Sequence, residues 1–190
     1  LKKEKAPKEI YVCDTDGRNC QGLTQDKTLS ISPAWSPDGN QIVYTQYEWI
    51  YGHKKKRKGT VLKMHNLLTG DRTYLSSQEG INSGAAWSPD GKKIVATLTF
   101  SGKPELYLLN PSNPDEAPEP LSRNIKYKRP GSETLQITPQ SLLFDVEPKW
   151  SPDSKKVVYS SARSGSPMIF VVDLATKLAT QLTFVGVYNS

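Results

Sequence analysis

The sequence has few of the residues on which most enzyme and metal sites depend. Its 190 residues include only two His and two Cys. His53 lies in a basic stretch and His65 in an apolar one, and neither belongs to a recognisable catalytic triad. No Gly-x-Ser-x-Gly segment is present, and "DGKK" lacks the preceding glycines of a phosphate loop. The four His and Cys also lack the spacing of a zinc site. We therefore predict no enzyme activity, no metal and no cofactor.

Long hydrophobic runs and long amphipathic runs are absent too. No segment is apolar over the ~20 residues that a membrane-spanning helix needs, so we predict no transmembrane segment. No charged stretch followed by an apolar one marks a targeting peptide, which we expect to be removed or not included. Fourteen Pro and thirteen Gly spread along the chain favour many short strands over helices. Even "DLATKLATQL" at 173–182 is predicted to be a hairpin, with its turn at 175–177.

The two cysteines flank a turn-rich segment. Cys13 and Cys20 enclose "DTDGRN", which would fold two strands side by side and let the thiols form a disulfide. Such a bridge implies an oxidising compartment. Two free thiols in a reducing compartment are the alternative on spacing alone. The segment also resembles a calcium loop, but it lacks the third ligand spacing and the distal Glu, so we predict a plain turn.

The sequence does contain one turn motif repeated three times. It reads "AWSPDG" at 34–39 and 86–91, and "KWSPDS" at 149–154. In this motif Ser accepts a backbone hydrogen bond, Pro presets φ, and Gly supplies a positive φ, so each copy predicts a hairpin turn. Ser154 stands where the other copies have Gly39 and Gly91. A left-handed conformation at Ser154 should cost about 1 kcal/mol.

A β-rich run follows every turn, and a second pair of strands follows each run. Four strands per unit, repeated at intervals of roughly 40 to 60 residues, indicate the blades of a β-propeller. The predicted fold class is thus all-β, a partial propeller of about three and a half four-stranded antiparallel blades in one domain. We predict a tail at 1–8, the last two strands of a blade at 9–28, a blade at 29–79 with an insertion at 47–59, a blade at 80–143 with a trailing insertion at 123–143, a blade at 144–185, and the start of another at 186–190.

Three tryptophans precede the repeated turns. Trp35, Trp87 and Trp150 each end the innermost strand of a blade and are predicted to pack between neighbouring blades. An exposed, ligand-stacking role is the alternative. Trp49 lies in the first insertion, where the repeat makes no prediction about burial.

The phrases around these turns resemble the propeller domain of the TolB family, the periplasmic component of the Tol-Pal system. They include "LSISPAWSPDGNQIVYT", "INSGAAWSPDGKKIVATLTFSGKPELYLLN" and the closing "LTFVGVYNS". The resemblance implies a six-bladed ring preceded by a smaller α/β domain. It further implies a non-catalytic periplasmic scaffold that binds a Pal-like lipoprotein and supports outer-membrane integrity. Peptidases of the prolyl-oligopeptidase type carry similar repeats, so the propeller portion of such an enzyme, without its catalytic domain, is the alternative.

The resemblance also indicates a partner-binding face. In TolB-like proteins Pal docks where loops join the outer strand of one blade to the inner strand of the next. Transferred to this sequence, that face comprises Ser32, Asn82, Ser83, Gly84, Val146, Glu147, Tyr188 and Asn189. Half a ring would expose two apolar blade surfaces. The chain is therefore expected to be a piece of a longer one, or to complete its ring as a dimer.

The two insertions carry most of the positive charge. Segment 47–59 has a net charge of +4 and segment 123–143 of +3, which leaves −1 for the rest of a chain whose net charge is +6. Because strands alternate in direction, both insertions should leave the propeller on the same side. We predict a basic face made of Lys54, Lys55, Lys56, Arg57, Lys58, Lys126, Lys128 and Arg129.

This basic face suggests an acidic partner. An acidic patch on Pal, another acidic protein or anionic lipid headgroups could be recruited by electrostatic steering. A solvated loop without a partner is the alternative. "KKKRK" also resembles a nuclear localisation or nucleic-acid patch. Since the sequence shows no aromatic-studded binding sheet and no helix-turn-helix, we predict no nucleic-acid partner.

Overall fold

Short strands joined by tight turns make up the chain. The computed structural model describes residues 7–51, 56–123, 125–128, 131–137 and 144–184, and within those residues it contains no helix. The strands are β1 (Tyr11–Val12), β2 (Gln21–Gly22), β3 (Leu29–Trp35), β4 (Gln41–Tyr51), β5 (Lys56–Asn66), β6 (Arg72–Ser76), β7 (Asn82–Trp87), β8 (Ile94–Leu98), β9 (Glu105–Leu109), β10 (Glu119–Pro120), β11 (Lys126–Lys128), β12 (Leu135–Ile137), β13 (Asp145–Trp150), β14 (Lys156–Ser161), β15 (Met168–Asp173) and β16 (Leu178–Gln181).

Three antiparallel sheets form successive blades. The first blade has the order β3-β4-β5-β6, the second β7-β8-β9-β10, and the third contains β13-β14-β15-β16. A separate hairpin, β1-β2, precedes them. The prediction of an all-β, partial propeller with four-stranded antiparallel blades is therefore confirmed. The hairpin predicted at 173–182 is also confirmed, since β15 ends at Asp173 and β16 begins at Leu178.

The repeated turns adopt the predicted left-handed conformation at their last residue. The φ angle is +74° at Gly39, +71° at Gly91 and +60° at Ser154. Ser154 gains a bond that glycine could not make, because its hydroxyl accepts a hydrogen bond from the Asp90 amide at 3.0 Å. This bond joins the turns of the second and third blades. It offsets part of the backbone strain.

Hydrophobic cores fill the space between blades. One core lies between the first and second blades and includes Val43, Leu62, Ile94 and Leu98. A larger core lies between the second and third blades and includes Val95, Leu106, Val157 and Phe170. A third, small core joins the β1-β2 hairpin to the first blade through Ile10, Ile42 and Tyr44.

The blade-packing role of the tryptophans is confirmed at two of the three positions. Trp87 packs against the core between the first and second blades. Trp150 packs against the next core, and its indole N–H donates to the Ala86 carbonyl at 3.0 Å. Trp35 is 52% exposed. Its equivalent neighbour would be the inner strands of a preceding blade, and among the described residues the β1-β2 hairpin precedes the first blade.

The second insertion is part of a sheet. Strand β11 pairs in parallel with β16, and β12 pairs antiparallel with β11, so the third blade's sheet has six strands. Ile125 and Tyr127 are buried in the core between the second and third blades. The trailing insertion predicted at 123–143 therefore contains two strands that join the sheet of the third blade. The physical reason is the alternation in "NIKYK", where apolar Ile125 and Tyr127 face the core and Lys126 faces solvent.

Two buried carboxylates bind arginine in these sheets. Asp145 and Arg163 are both inaccessible to solvent, with 2.8 Å between Asp145 Oδ2 and Arg163 Nη2. The guanidinium also lies 5.1 Å from the Tyr159 ring and 5.3 Å from the Phe170 ring. In the second blade, buried Glu105 binds Arg123 at 2.7 Å. Arg123 therefore neutralises a charge of its own blade.

The β1-β2 hairpin contains the cysteine pair. Cys13 and Cys20 are joined by a disulfide, with 4.0 Å between their Cα atoms. The enclosed segment forms turns, in which the Asn19 amide donates to the Asp14 carboxylate at 2.7 Å. None of the described residues belongs to a helix long and apolar enough to cross a membrane.

Candidate docking face

The two ends of each blade differ in the connections they carry. One end holds the repeated turns and the connections from third to fourth strands. The other holds the turns from second to third strands and the connections to the next blade. We call the second the docking end, because the predicted partner-binding residues belong to it.

The inner strand of every blade is interrupted by a bulge near the docking end. The pairing register shifts between Ile31 and Ala34 in β3, between Ser83 and Ala86 in β7, and between Val146 and Lys149 in β13. Within each bulge one residue has a positive φ: +54° at Ser32, +63° at Gly84 and +56° at Glu147. Three of the predicted partner-binding residues thus occupy the same backbone position in successive blades.

The left-handed conformation at these bulges has an energetic cost. A non-glycine residue in this region loses about 1 kcal/mol or more, and such strain concentrates at functional sites. Ser32 and Glu147 bear that cost, and both are exposed. Gly84, Ser83 and Val146 are half-buried. Tyr188 and Asn189, the last two predicted partner-binding residues, lie outside the described residues.

Hydrogen bonds between blades fix the start of each inner strand. In each case the donor is the backbone amide two residues before the positive-φ residue of the bulge. The acceptor belongs to the hairpin or blade that precedes this inner strand in the chain. The bonds run from Ser30 to the Lys8 carbonyl at 2.8 Å, from Asn82 to the Thr60 hydroxyl at 2.7 Å, and from Asp145 to the Pro104 carbonyl at 2.9 Å. The bulges are therefore held in position relative to the neighbouring blade.

Asn82 supports this end of the fold from inside. Its side chain is fully buried, and its amide nitrogen donates to the carbonyls of Thr60 at 2.8 Å and Gln78 at 2.9 Å. Its amide oxygen accepts from the Ser76 hydroxyl at 2.6 Å. All of its hydrogen-bonding groups are thus used within the chain. Asn82 positions Ser83 and Gly84, and its side chain is not available at the surface.

Exposed apolar side chains form a row that the sequence analysis missed. Leu29, Ile81 and Phe144 are 38%, 55% and 48% exposed. Each directly precedes the residue whose amide bonds to the preceding unit, so the three positions are equivalent. Phe100, in the β8-β9 turn at the same end, is 40% exposed. The sequence does carry a signal for this row, because an apolar residue directly precedes a polar one at the start of each inner strand, in "LS", "IN" and "FD".

The first insertion extends the β4-β5 hairpin beyond the docking end. Strand β4 pairs with β5 as far as Tyr51 opposite Lys56. Trp49 is 46% exposed, and the Lys58 ammonium lies 4.9 Å from the centre of its ring. Arg57 donates to the Gln78 carbonyl at 3.1 Å. Among the other predicted basic residues here, Lys56 begins β5, and Lys54 and Lys55 lie outside the described residues.

A polar cluster stabilises the base of this hairpin. The Glu48 carboxylate accepts from Lys63 at 2.6 Å and from the Tyr74 hydroxyl at 2.6 Å. The hydrogen bond to Glu48, with burial as the next cause, raises the pKa of Tyr74 to about 12. Glu48 and Tyr74, with Trp49, line a small cleft of about 220 Å³. Glu48 therefore has its charge compensated inside the blade.

The second insertion contributes less free positive charge than its composition suggests. Lys126 is exposed on β11, and Lys128 forms an ion pair with Glu133 at 3.2 Å. Lys126 pairs with Leu178, the first residue of β16, so it lies at the outer edge of the third blade and at the end that holds the repeated turns. The prediction of one basic face shared by both insertions is therefore wrong for Lys126. Arg129 lies outside the described residues. The described parts of the two insertions belong to different blades, with the second blade between them.

The described residues contain no group of three or more His, Cys, Asp or Glu that could hold a metal ion. What this end offers is a set of equivalent bulges, a row of exposed apolar residues and a protruding basic hairpin. Such features are suited to contact with another macromolecule. The fold defines a protein of the β-propeller class.

The family follows from comparison with known proteins. A family model described as the TolB beta propeller domain matches residues 1–124. The chain therefore belongs to the TolB β-propeller family. A Protein TolB homolog from Chlorobium luteolum is 32% identical over 169 residues, which are 89% of this chain and 32% of that protein. The Tol-Pal system protein TolB from Desulfosudis oleivorans is 41% identical over 105 residues, 55% of this chain and 22% of that one.

A solved structure shows the same architecture. The crystal structure of TolB from Acinetobacter baumannii aligns with a TM-score of 0.70 at 27% sequence identity, covering 96% of this chain and 39% of that one. The chain thus spans well under half the length of the relatives it matches.

Proposed function

We propose that this chain is a non-catalytic periplasmic scaffold whose docking end binds a Pal-like lipoprotein and so supports outer-membrane integrity. Membership of the TolB propeller family supports the proposal, as does the similarity to a Tol-Pal system protein. The Cys13–Cys20 disulfide suits an oxidising compartment such as the periplasm.

The repeated apolar row is the observation that carries the proposal. Leu29, Ile81 and Phe144 are large apolar residues held at equivalent positions with much of their surface in solvent. Exposed apolar patches bordered by polar residues mark sites of protein interaction. Beside the row, the bulges offer the hydroxyl of Ser32 and the carboxylate of Glu147, which could orient a partner by hydrogen bonds.

The peptidase alternative has weaker support, because an acylaminoacyl peptidase resembles this chain in fold alone, at 13% sequence identity, whereas the matched family model and the relatives reported above are TolB propellers. It would need a nucleophile elbow in sequence that follows residue 190.

Binding of a soluble Pal-like domain tests the proposal. Ile81→Ser removes an exposed apolar side chain at the docking end, and Leu68→Ser removes one that is 76% exposed in the β5-β6 turn at the opposite end. Truncating a central apolar contact typically costs more than 1 kcal/mol of binding energy, which is roughly fivefold or more in affinity. We expect Ile81→Ser to weaken binding by at least this factor and Leu68→Ser to leave it unchanged. Equal affinities of both variants and the parent chain in isothermal titration calorimetry would refute the proposed site.

A further inference from the structure

The β4-β5 hairpin is longer than its counterparts in the other blades. Gln46, Leu98 and Ser161 are equivalent, since they pair with Ser30, Asn82 and Asp145 at the start of the three inner strands. Strands β8 and β14 end at that level, whereas β4 continues to Tyr51. Five further residues at about 3.4 Å each extend the hairpin by roughly 17 Å. We call residues 47–51 and 56–60 the arm.

Aromatic and basic side chains lie together on one face of the arm. Tyr47 and Trp49 are two residues apart, so they point to the same side of the strand. They are 42% and 46% exposed. Lys58 pairs directly with Trp49 across the hairpin and extends its ammonium over the indole ring. These aromatic rings are exposed, and they would bury a large apolar surface if a partner covered them.

The interior of the arm is already occupied by its own contacts. Ile50 is 9% exposed, and Arg57 is bonded to the Gln78 carbonyl. Glu48, the only acidic residue in segment 47–59, is bound by Lys63 at the base. The arm is thus a built hairpin whose outward chemistry is aromatic and cationic.

From these features we propose that the arm is a membrane-contacting element that binds an anionic phospholipid bilayer. Trp and Tyr are enriched at the level of lipid headgroups, where their apolar rings and polar tips match the interface. Lys and Arg beside them are attracted to anionic headgroups. An acidic protein is the less suitable partner, because protein hot spots lie in the well-packed centre of an interface, whereas the arm is a protruding hairpin.

The position of the arm fits this occupant. It leaves the first blade at the docking end, and Thr60 at its base bonds the amide of Asn82 beside the second bulge. A lipoprotein partner is anchored in a membrane, so a propeller docked on it turns this end toward the lipid. That orientation rests on the proposed function, whereas the lipid affinity of the arm does not.

Vesicle sedimentation with the intact chain tests the inference. The probes are vesicles of phosphatidylethanolamine with phosphatidylglycerol, and neutral vesicles of phosphatidylcholine. One basic residue near an anionic surface contributes about fivefold in affinity. We expect Lys58→Gln to lower binding to the anionic vesicles by about that factor, and Trp49→Ser to lower it further. Lys155→Gln, an exposed change in the turn at the opposite end, should leave it unchanged.

Two results would overturn the inference. One is equal binding of the parent chain to anionic and neutral vesicles. The other is vesicle binding that Lys58→Gln and Trp49→Ser leave unchanged. If the same two variants then bind a soluble partner domain more weakly, the arm is a protein contact instead. Thermal melts serve as the folding control, because both side chains are exposed. Failure of the proposed function would appear separately, as undiminished binding of the soluble partner domain by Ile81→Ser.

Discussion

Replacing Asp145 with Ala should destabilise the chain strongly because it leaves Arg163 charged and buried. Both side chains are inaccessible to solvent, and a single ion pair of 2.8 Å joins them. Removing one partner of such a pair costs about 3–5 kcal/mol. For a chain of this size the loss corresponds to a fall in Tm of roughly 10 °C. Two aromatic rings would still contact the guanidinium, but they cannot replace the lost carboxylate.

The double variant Asp145→Ala/Arg163→Met separates the charge effect from the packing effect. Buried ion pairs replaced by apolar residues are often neutral or even stabilising. Here one oxygen of Asp145 and one nitrogen of Arg163 also lack hydrogen-bond partners among the described residues, so the pair is incompletely compensated. We therefore expect the double variant to be more stable than Asp145→Ala alone, with a coupling energy of about 1–3 kcal/mol.

Urea unfolding followed by tryptophan fluorescence and circular dichroism measures these differences. The matched control is Lys177→Ala, which breaks an exposed ion pair between Lys177 of the third blade and Glu119 of the second. Such surface pairs contribute about 0–1 kcal/mol. The reasoning is refuted if Asp145→Ala costs no more than Lys177→Ala, or if the double variant is no more stable than the single one.

Three further predictions concern the turns and bulges. Ser154→Ala should cost about 1 kcal/mol, because it loses one hydrogen bond and keeps the left-handed strain, whereas Ser154→Gly should be near neutral in urea unfolding. Gly84→Ala should lower the free energy of unfolding by about 1 kcal/mol through backbone strain alone, because the new Cβ would lie at an ordinary 3.7 Å from its neighbours. Glu147→Gly should raise the free energy of unfolding, because it relieves the same strain. Shifts of the opposite sign in thermal melts would contradict this. The Ser88 hydroxyl holds the pKa of Asp90 below its ordinary 3.8, so the stability it adds is present above that pH and is lost as the pH falls through the lower folded value. Ser88→Ala should therefore weaken the acid dependence of the unfolding midpoint, and an unchanged dependence would count against it.

The repeat itself could be predicted from the sequence because its turns depend on local chemistry. Pro, Asp and Gly restrict the backbone within four residues, so the positive φ at Gly39, Gly91 and even Ser154 follows from the motif. The tryptophan packing depends on a neighbouring blade. It was therefore predictable for Trp87 and Trp150. It fails at Trp35, because in the part of the chain that the structure describes a two-stranded hairpin, and not a full blade, precedes the first blade.

Long-range pairing explains what the sequence could not show. The parallel contact of β11 with β16 joins segments about 50 residues apart, and no local signal specifies it. The neutralisation of Arg123 by Glu105 likewise depends on the geometry of one blade. Net charge therefore overestimated the basic character of the second insertion. Chain position puts Asn82 at the docking end, but the burial of its side chain depends on Ser76, Thr60 and Gln78.

The bulges of the three inner strands separate two properties that usually change together. Their backbone geometry is the same from blade to blade, while the side chains it presents are a hydroxyl at Ser32, a hydrogen at Gly84 and a carboxylate at Glu147. A single substitution can thus alter what one blade offers to a ligand without disturbing the strand that carries it. The selectivity of such a ring for its ligands can therefore evolve by changes in one blade at a time.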